Sequence, residues 1–393
     1  MERLPREVAL DIFSRLPITS LQRLKCVSKL WHSLAKDPHL LFMYKATHKN
    51  PSLILHCDLH EDHLYLIESD IHAHFDITLL KLDQPFKSVT PTFDILGSCN
   101  GFLCLSNSQS PDTLHVYNPL TNESTQLPNT NKNFSHQRVV LGLGFSSKTK
   151  EFKVVRTVYA YPPSRLMGIG YIGYGDSDTS LYTLGIDDSW RSQGKAVYWL
   201  DGQSPTALVN ESLHWLTQAH KYRQFQNIVS FDLATEKFNT VEGPSCDSLK
   251  RNWYTLVELG GCLGAVVRTS YYGQLEVWVM KEYKVRESWS KDYAIRAYSP
   301  VGFNPDIELS ERMQKRRFWK RTVRVVCLLR NGEILLEYGN QKLVCYDPTK
   351  DEFKELSFDG LPNCFESVAL TLSLVSQKGV QNNNNNNIAS VTN

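Results

Sequence analysis

Three groupings in this 393-residue chain have residue types that could do chemistry, and each makes a spatial demand. Gly168-Ile169-Gly170-Tyr171-Ile172-Gly173 has the letters of a dinucleotide-binding fingerprint. That fingerprint works when a strand leads in and a helix follows whose N-terminus meets the pyrophosphate. Here Pro162-Pro163 precede it and Gly175-Asp176-Ser177-Asp178 follow, a poor start for a helix, so the segment reads as a Gly/Tyr loop joining two strands. His56, His60, His63, His72 and His74, with Asp58, Glu61 and Asp62, suggest zinc by composition. His60-Glu61-Asp62-His63 is one residue short of His-Glu-x-x-His, so its imidazoles cannot share one helical face. We read these as surface-loop histidines. Arg312, Lys315, Arg316, Arg317, Lys320, Arg321 and Arg324, with Phe318 and Trp319 among them, could grip a phosphate backbone or an acidic protein segment. A formal net charge of +2 supplies no global field to recruit nucleic acid. The run reads as a solvated loop with inward aromatics, and contact with an acidic partner is the alternative.

No Gly-x-Ser-x-Gly elbow, phosphate loop or kinase set is evident, and no Ser, His and Asp spacing marks out a triad. The expectation is a non-enzymatic chain with no catalytic residue, cofactor or metal site. A hydrophobic content of 41% and a charged content of 21% suit a globular protein, long enough for one small and one large unit. There is no apolar run of about 18 residues and no signal-peptide pattern at the start. We therefore expect a soluble cytoplasmic or nuclear protein that engages neither membrane nor nucleic acid. The nine cysteines include no Cys-x-x-Cys pair, and we read them, Cys99 and Cys104 included, as reduced core residues.

Positioning begins at residues 4–38. Pro5 suits the first position of a helix. Val8, Ala9, Ile12, Phe13 and Leu16 recur at helical spacing, with Glu7 and Asp11 early and Arg15 late, in agreement with the helix dipole. Pro17 ends that helix. Thr19 or Ser20 can cap a second, carrying Leu21, Leu24 and Val27. Ser28 can cap a third with Trp31, Leu34 and Ala35 on one face, stopped at Asp37-Pro38. A unit under about 40 residues rarely buries enough surface to fold without a metal, disulfide or partner. With no ligand cluster or cysteine pair inside it, a partner is the natural answer.

The run Leu4-Pro5, Ile12, Leu16-Pro17, Leu21, Arg23, Lys25-Cys26-Val27-Ser28-Lys29 and Trp31 resembles the F-box. That resemblance implies docking onto a Skp-type adaptor, which in turn binds a cullin scaffold. It also implies that Leu4, Pro5, Ile12, Leu16, Pro17, Leu21, Val27 and Trp31 divide between internal packing and adaptor contact. The turns at Leu4-Pro5 and Leu16-Pro17 are the foremost candidates for contact.

From about residue 50 to 375 the pattern changes to short strands rich in Val, Ile, Tyr, Phe and Trp, such as 52–57, 63–68, 101–106, 152–159, 212–217, 275–280 and 333–338. Asn100-Gly101 and Asn331-Gly332 favour tight hairpins, in which both turn positions take positive φ. A weak repeat ends strands at Tyr117-Asn118-Pro119, Phe231-Asp232-Leu233 and Tyr346-Asp347-Pro348. One propeller blade takes about 40–50 residues, so each interval should hold two or more. Degenerate copies at 145–155, 181–190 and 277–289 fall between. The fold class expected is a small all-α unit of three helices followed by an all-β domain, a β-propeller of six to eight blades. A two-sheet sandwich array is the alternative.

The β region resembles the plant F-box-associated domain, sometimes described as kelch-like. The residues that carry this are Gly97 to Cys104, Tyr117-Asn118-Pro119, Leu141-Gly142-Leu143-Gly144-Phe145, Phe152-Lys153-Val154-Val155, Trp190-Arg191, Asn210 to Trp215 and Ile228 to Asp232. Strict kelch signatures, with paired glycines in each blade, are absent. The division expected is 1–45 F-box, 50–375 F-box-associated domain, and 376–393 a disordered tail containing the run Asn382 to Asn387. The function implied is substrate recognition in an SCF-type ubiquitin ligase, with an unknown target protein bound by loops 160–178, 218–226 or 296–320. An adaptor-binding scaffold without ligase activity, and a propeller lectin or enzyme, are the alternatives.

Overall fold

The computed structural model describes residues 4–24, 26–35, 37, 39–40, 43–44, 51–57, 63–67, 79–82, 93–107, 113–129, 137–160, 177–202, 206–217, 227–245, 254–269, 274–304, 323–358 and 360–372. Three helices come first: α1 (Arg6–Ser14), α2 (Ile18–Leu24) and α3 (Lys29–Ala35). Pro5 stands just outside α1 rather than in its first turn, and its carbonyl accepts from Ala9 N at 3.1 Å. Pro17 does the same for α2, accepting from Leu21 N at 3.1 Å, so Thr19 and Ser20 lie inside the helix and not at its cap. Proline has no N–H to leave unsatisfied at a helix start. Ser28 caps α3, its Oγ accepting from Trp31 N at 3.2 Å. An Arg6–Asp37 ion pair ties the start of α1 to the end of α3.

The helices bury Leu10, Phe13, Leu21 and Leu34, and the rings of Phe13 and Trp31 meet edge-on at 5.3 Å. Together with Leu40 and Tyr44 these residues form one cluster with Ile54, Leu66, Phe93 and Tyr117 of the β region. The shortage of core that a unit this small must suffer is thus met first by its own chain.

The β region is a six-bladed propeller of four-stranded antiparallel sheets. The first blade comprises β1 (Ser52–Cys57), β2 (His63–Ile67) and β3 (Leu79–Lys81), with β24 (Glu366–Leu370) from the far end of the chain as its innermost strand. Ring closure therefore rests on the pairing of β24 with β1, from Ser52 with Leu370 to His56 with Glu366. Listed from the axis outward, the second blade is β4 (Phe93–Cys99), β5 (Phe102–Asn107), β6 (Leu114–Asn118) and β7 (Glu123–Gln126). The third is β8 (Gln137–Ser146), β9 (Glu151–Ala160), β10 (Ser177–Thr183) and β11 (Arg191–Gly194). The fourth is β12 (Ala207–Val209), β13 (Ser212–Leu216), β14 (Ile228–Asp232) and β15 (Lys237–Val241). The fifth is β16 (Tyr254–Leu259), β17 (Cys262–Arg268), β18 (Leu275–Met280) and β19 (Trp289–Ile295). The sixth is β20 (Val323–Leu328), β21 (Ile334–Tyr338), β22 (Lys342–Asp347) and β23 (Glu352–Leu356).

Adjacent inner strands run parallel. Arg324, near the start of β20, donates to Ser367 O near the start of β24. Ser98, near the end of β4, donates to Ala369 O near the end of β24 at 3.2 Å. The ring consequently has two unlike faces. At the turn face, first and second strands meet in tight turns such as Asn100-Gly101, Asn210-Glu211 and Gly260-Gly261, each pair at positive φ. Asn331-Gly332 also makes its hairpin, but only Gly332 has positive φ (86°). The opposite, loop face takes the connections from second to third strand and from blade to blade.

The repeat seen in sequence is the turn from third to fourth strand. Oδ1 of Asn118, Asp232 and Asp347 accepts from the backbone N–H of Leu120, Ala234 and Thr349, each at 2.9 Å. These are Asx-turns in the second, fourth and sixth blades. The segments 181–190 and 277–289 occupy the same turn in the third and fifth blades. The segment 145–155 does not: it is the hairpin from β8 to β9, two connections earlier in its blade, where Ser146 Oγ accepts from Thr149 N at 3.3 Å.

Candidate functional site

Two features stand out once the fold is in place: a helical face left uncovered, and bolts between blades. On α1 and the residue that leads into it, Leu4, Val8 and Ile12 recur at four-residue steps, and each is a little over 40% exposed. Val27 and Leu30, around the start of α3, are 61% and 52% exposed. Four-residue spacing puts Val8 and Ile12 on one face of α1, opposite the buried Leu10 and Phe13, while Leu4 lies before the extended Pro5 that starts the helix. Leu4, Pro5, Ile12, Pro17 and Val27 are therefore open to a partner, Leu16 and Trp31 are partly buried, and Leu21 is wholly buried. Leu21 belongs to the internal core. Val8 and Leu30 are exposed as well and lie outside the set that the resemblance implies. The spacing of Leu4 and Ile12 points to Val8, while nothing in the local pattern separates Leu30 from a core leucine.

The motifs that gave the β region its resemblance hold blades together. In Leu141-Gly142-Leu143-Gly144, a Cβ at Gly142 would lie 2.7 Å from Trp215 Cζ2, and one at Gly144 would lie 2.4 Å from Leu233 Cδ1. The glycines let the fourth blade close on the third. Lys153 of the same blade is buried and donates to Glu236 Oε1 and to Leu233 O, both at 2.8 Å. Trp190 Nε1 donates to Pro128 O at 2.6 Å, and Arg191 pairs with Asp187 and Glu236. Burial alone would raise the Glu236 carboxyl, but the hydrogen bonds from Arg191 and Lys153 hold it below its ordinary pKa. His214, in the motif at 210–215, receives the Tyr283 hydroxyl at Nε2 (2.9 Å) and donates from Nδ1 to Ala207 O (3.3 Å). Burial lowers its pKa to about 4, which keeps the ring neutral.

The candidate chemical groupings resolve differently. His56 is not in a surface loop: it is buried on β1 and stacked on Phe93 at 4.8 Å, because that strand is buried on both faces along its whole length. His63 starts β2, and the other members of that cluster lie outside the described residues. Among the described residues no three side chains form a metal-ligand group. Arg324 belongs to β20 rather than to a solvated loop. Its guanidinium pairs with Glu337 at 2.8 Å and bonds Ser367, clasping the closing strand. The rest of the basic run and Gly168 to Gly173 lie outside the described residues. So do most of the three candidate target loops, although the strand ends that flank them, Ala160 and Ser177, Thr217 and Asn227, Ile295 and Val323, are at the loop face.

A profile described as F-box-like matches residues 1–43, and one described as the F-box associated beta propeller domain matches residues 39–378. The chain belongs to the plant F-box proteins that carry an F-box-associated propeller. It is 41% identical over 379 residues to the F-box protein At3g07870 of Arabidopsis thaliana, covering 94% of this chain and 90% of that one. It is 28% identical to the F-box protein CPR1 of the same plant, over 98% and 91% of the two chains. The F-box/kelch-repeat protein At3g23880, also from Arabidopsis thaliana, is 23% identical over 73% of this chain and 78% of its own. In this F-box protein, the propeller motifs are structural bolts, and five exposed apolar residues, Leu4, Val8, Ile12, Val27 and Leu30, gather on the helical unit, against Ile186, Val197, Val285 and Val301 in the propeller. No helix among the described residues is long and apolar enough to cross a membrane.

Proposed function

We propose that this F-box protein is the substrate-recognition subunit of an SCF-type ubiquitin ligase, with residues 1–45 as the docking module and 50–375 as the target-binding module. One observation carries the reading. The helical unit shares its core with the propeller, yet keeps Val8 and Ile12 uncovered on one side of α1 and Leu4 uncovered just before it. Exposed apolar side chains in contiguous order mark an interaction surface. A Skp-type adaptor covers that surface, with Leu4, Pro5, Ile12, Pro17 and Val27 in direct contact, and a cullin scaffold joins through the adaptor.

The mechanism is proximity. A target protein held at the loop face is fixed relative to the adaptor because helices and blades share one core, and that raises the effective concentration of its lysines at the ubiquitin-loaded enzyme. The chain itself makes and breaks no bonds. Cytoplasm and nucleus are the compartments where this assembly would operate.

Leu4→Ala with Pro5→Ala tests the docking half: adaptor co-purification should vanish while the melting of the propeller stays the same. Adaptor binding retained by that variant rejects the assignment. Reconstituted ubiquitination with a cullin complex tests the other half, since a scaffold without ligase activity would bind the adaptor and modify nothing.

A further inference from the structure

The cavity on the propeller axis is untouched by the reading above. Its volume is about 780 Å³, within the range of sites that enclose a small molecule. Every inner strand contributes a partly buried aliphatic side chain to the wall: Leu96, Val139, Leu208, Val257, Val323 and Val368. These six side chains offer water no hydrogen bonds, so an apolar body gains by displacing it from them, while Thr206, Thr255 and Asn340 add polar atoms to the lining.

Charge is unevenly satisfied at the loop-face end. Arg324 is held by Glu337, and Glu366 also lies at that end of the cavity. Glu337 is buried and bonded in turn by Ser367 and Asn340. Arg268, the last residue of β17, lines the same cavity, and its guanidinium has no hydrogen bond or ion pair among the described residues. A guanidinium bonded to no anion among the described residues, beside that aliphatic surface, is half of a recognition pair. Its planar fork matches a carboxylate. The nearby Glu337 and Glu366 disfavour a doubly charged phosphate by like-charge repulsion.

We propose that the axial cavity binds a small amphipathic monocarboxylate, its apolar body against the six aliphatic side chains and its carboxylate on Arg268. This site does not depend on adaptor docking, so its failure and that of the ligase reading are separate outcomes.

Pyrenebutyrate, a fluorescent arylalkanoate, and its uncharged counterpart pyrenebutanol are the probes, titrated into the full-length chain. Saturable pyrenebutyrate binding below about 100 µM is expected. Arg268→Gln should weaken it by about tenfold or more, Arg268→Lys by less, and neither should change pyrenebutanol binding, because only the charge-assisted contact is lost. Leu208→Phe, or Val323→Phe if the first shifts the melting temperature, should weaken both probes by filling the chamber. Absence of saturable binding, equal affinities for the two probes, or binding that survives both Arg268→Gln and the filled chamber would each overturn the proposal.

Discussion

Lys153 Nζ on β9 lies 2.8 Å from Glu236 Oε1 in the turn between β14 and β15, so a buried cation of the third blade is neutralised by the fourth. Glu151 stands 3.1 Å from the same ammonium and Leu233 O accepts from it as well. A buried charge needs this many partners, and losing one member leaves the others desolvated. Lys153→Met should therefore lower unfolding stability by about 2 kcal/mol in urea titrations, below the full cost of a broken buried pair because Glu236 keeps Arg191. Adding Glu236→Gln should recover part of the loss. If Lys153→Met unfolds like the wild type, the bolt carries no stability.

The paired glycines of β8 make a steric claim. Gly142→Ala or Gly144→Ala pushes a methyl into Trp215 or Leu233, with an expected cost of about 1–3 kcal/mol from overpacking. Leu233→Ala combined with Gly144→Ala should cost less than the sum of the single changes, since the cavity made by one receives the methyl of the other. Strict additivity in that double-mutant cycle would contradict the contact.

His214 makes a pH claim. Its pKa is about 4 when folded, through burial first and the nearby Lys284 charge as well, against an ordinary value of 6.5. Its contribution to stability is thus fully present above pH 6.5 and is lost as pH falls toward 4, because the unfolded chain takes up the proton first. The loss amounts to roughly 1.4 kcal/mol per unit of pH at most. His214→Gln should flatten the stability–pH curve between those limits, and the Tyr283 contact gives it a hydroxyl partner to keep. A curve as steep as that of the wild type would place the titration elsewhere.

The sequence discloses the local rules and hides the ones that depend on meeting across the ring. The helix starts near Pro5 and at Ser28, and the strand-ending Asn118, Asp232 and Asp347, are legible because backbone needs and side-chain answers lie within a few residues of each other, whereas Pro17 reads as a stop and the cap of α2 is sought at Thr19 or Ser20. The six-blade count was left open because the third and fifth blades replace the Asx residue at the repeated turn, with Met280 Sδ accepting from Lys284 N in the fifth. Ring closure by β24 was invisible, since its partner β1 lies some 300 residues away and both strands read simply as apolar runs. His56 and Arg324 were misread for the same reason. A polar residue in an apolar run looks exposed until Phe93 or Glu337 arrives from elsewhere. On the helices the resemblance named eight residues together, and only packing separates the buried Leu21 from the uncovered Ile12.

That separation can be measured on the intact chain. Leu21 is fully buried between helices, so Leu21→Ala should destabilise the helical unit by about 2–5 kcal/mol and weaken adaptor binding through unfolding. Val8 and Ile12 face outward, so Val8→Asp and Ile12→Asp should leave the melting curve almost unchanged, as surface changes do. Either aspartate, however, would carry an unpaired charge into the adaptor interface and should reduce co-purification by about tenfold or more. Helical content by hydrogen exchange separates the two mechanisms: protection of α1 and α2 falls in Leu21→Ala and persists in the aspartate variants. Loss of protection in Ile12→Asp would move that residue into the core, and undiminished adaptor binding by both aspartate variants would show that the partner sits on another face.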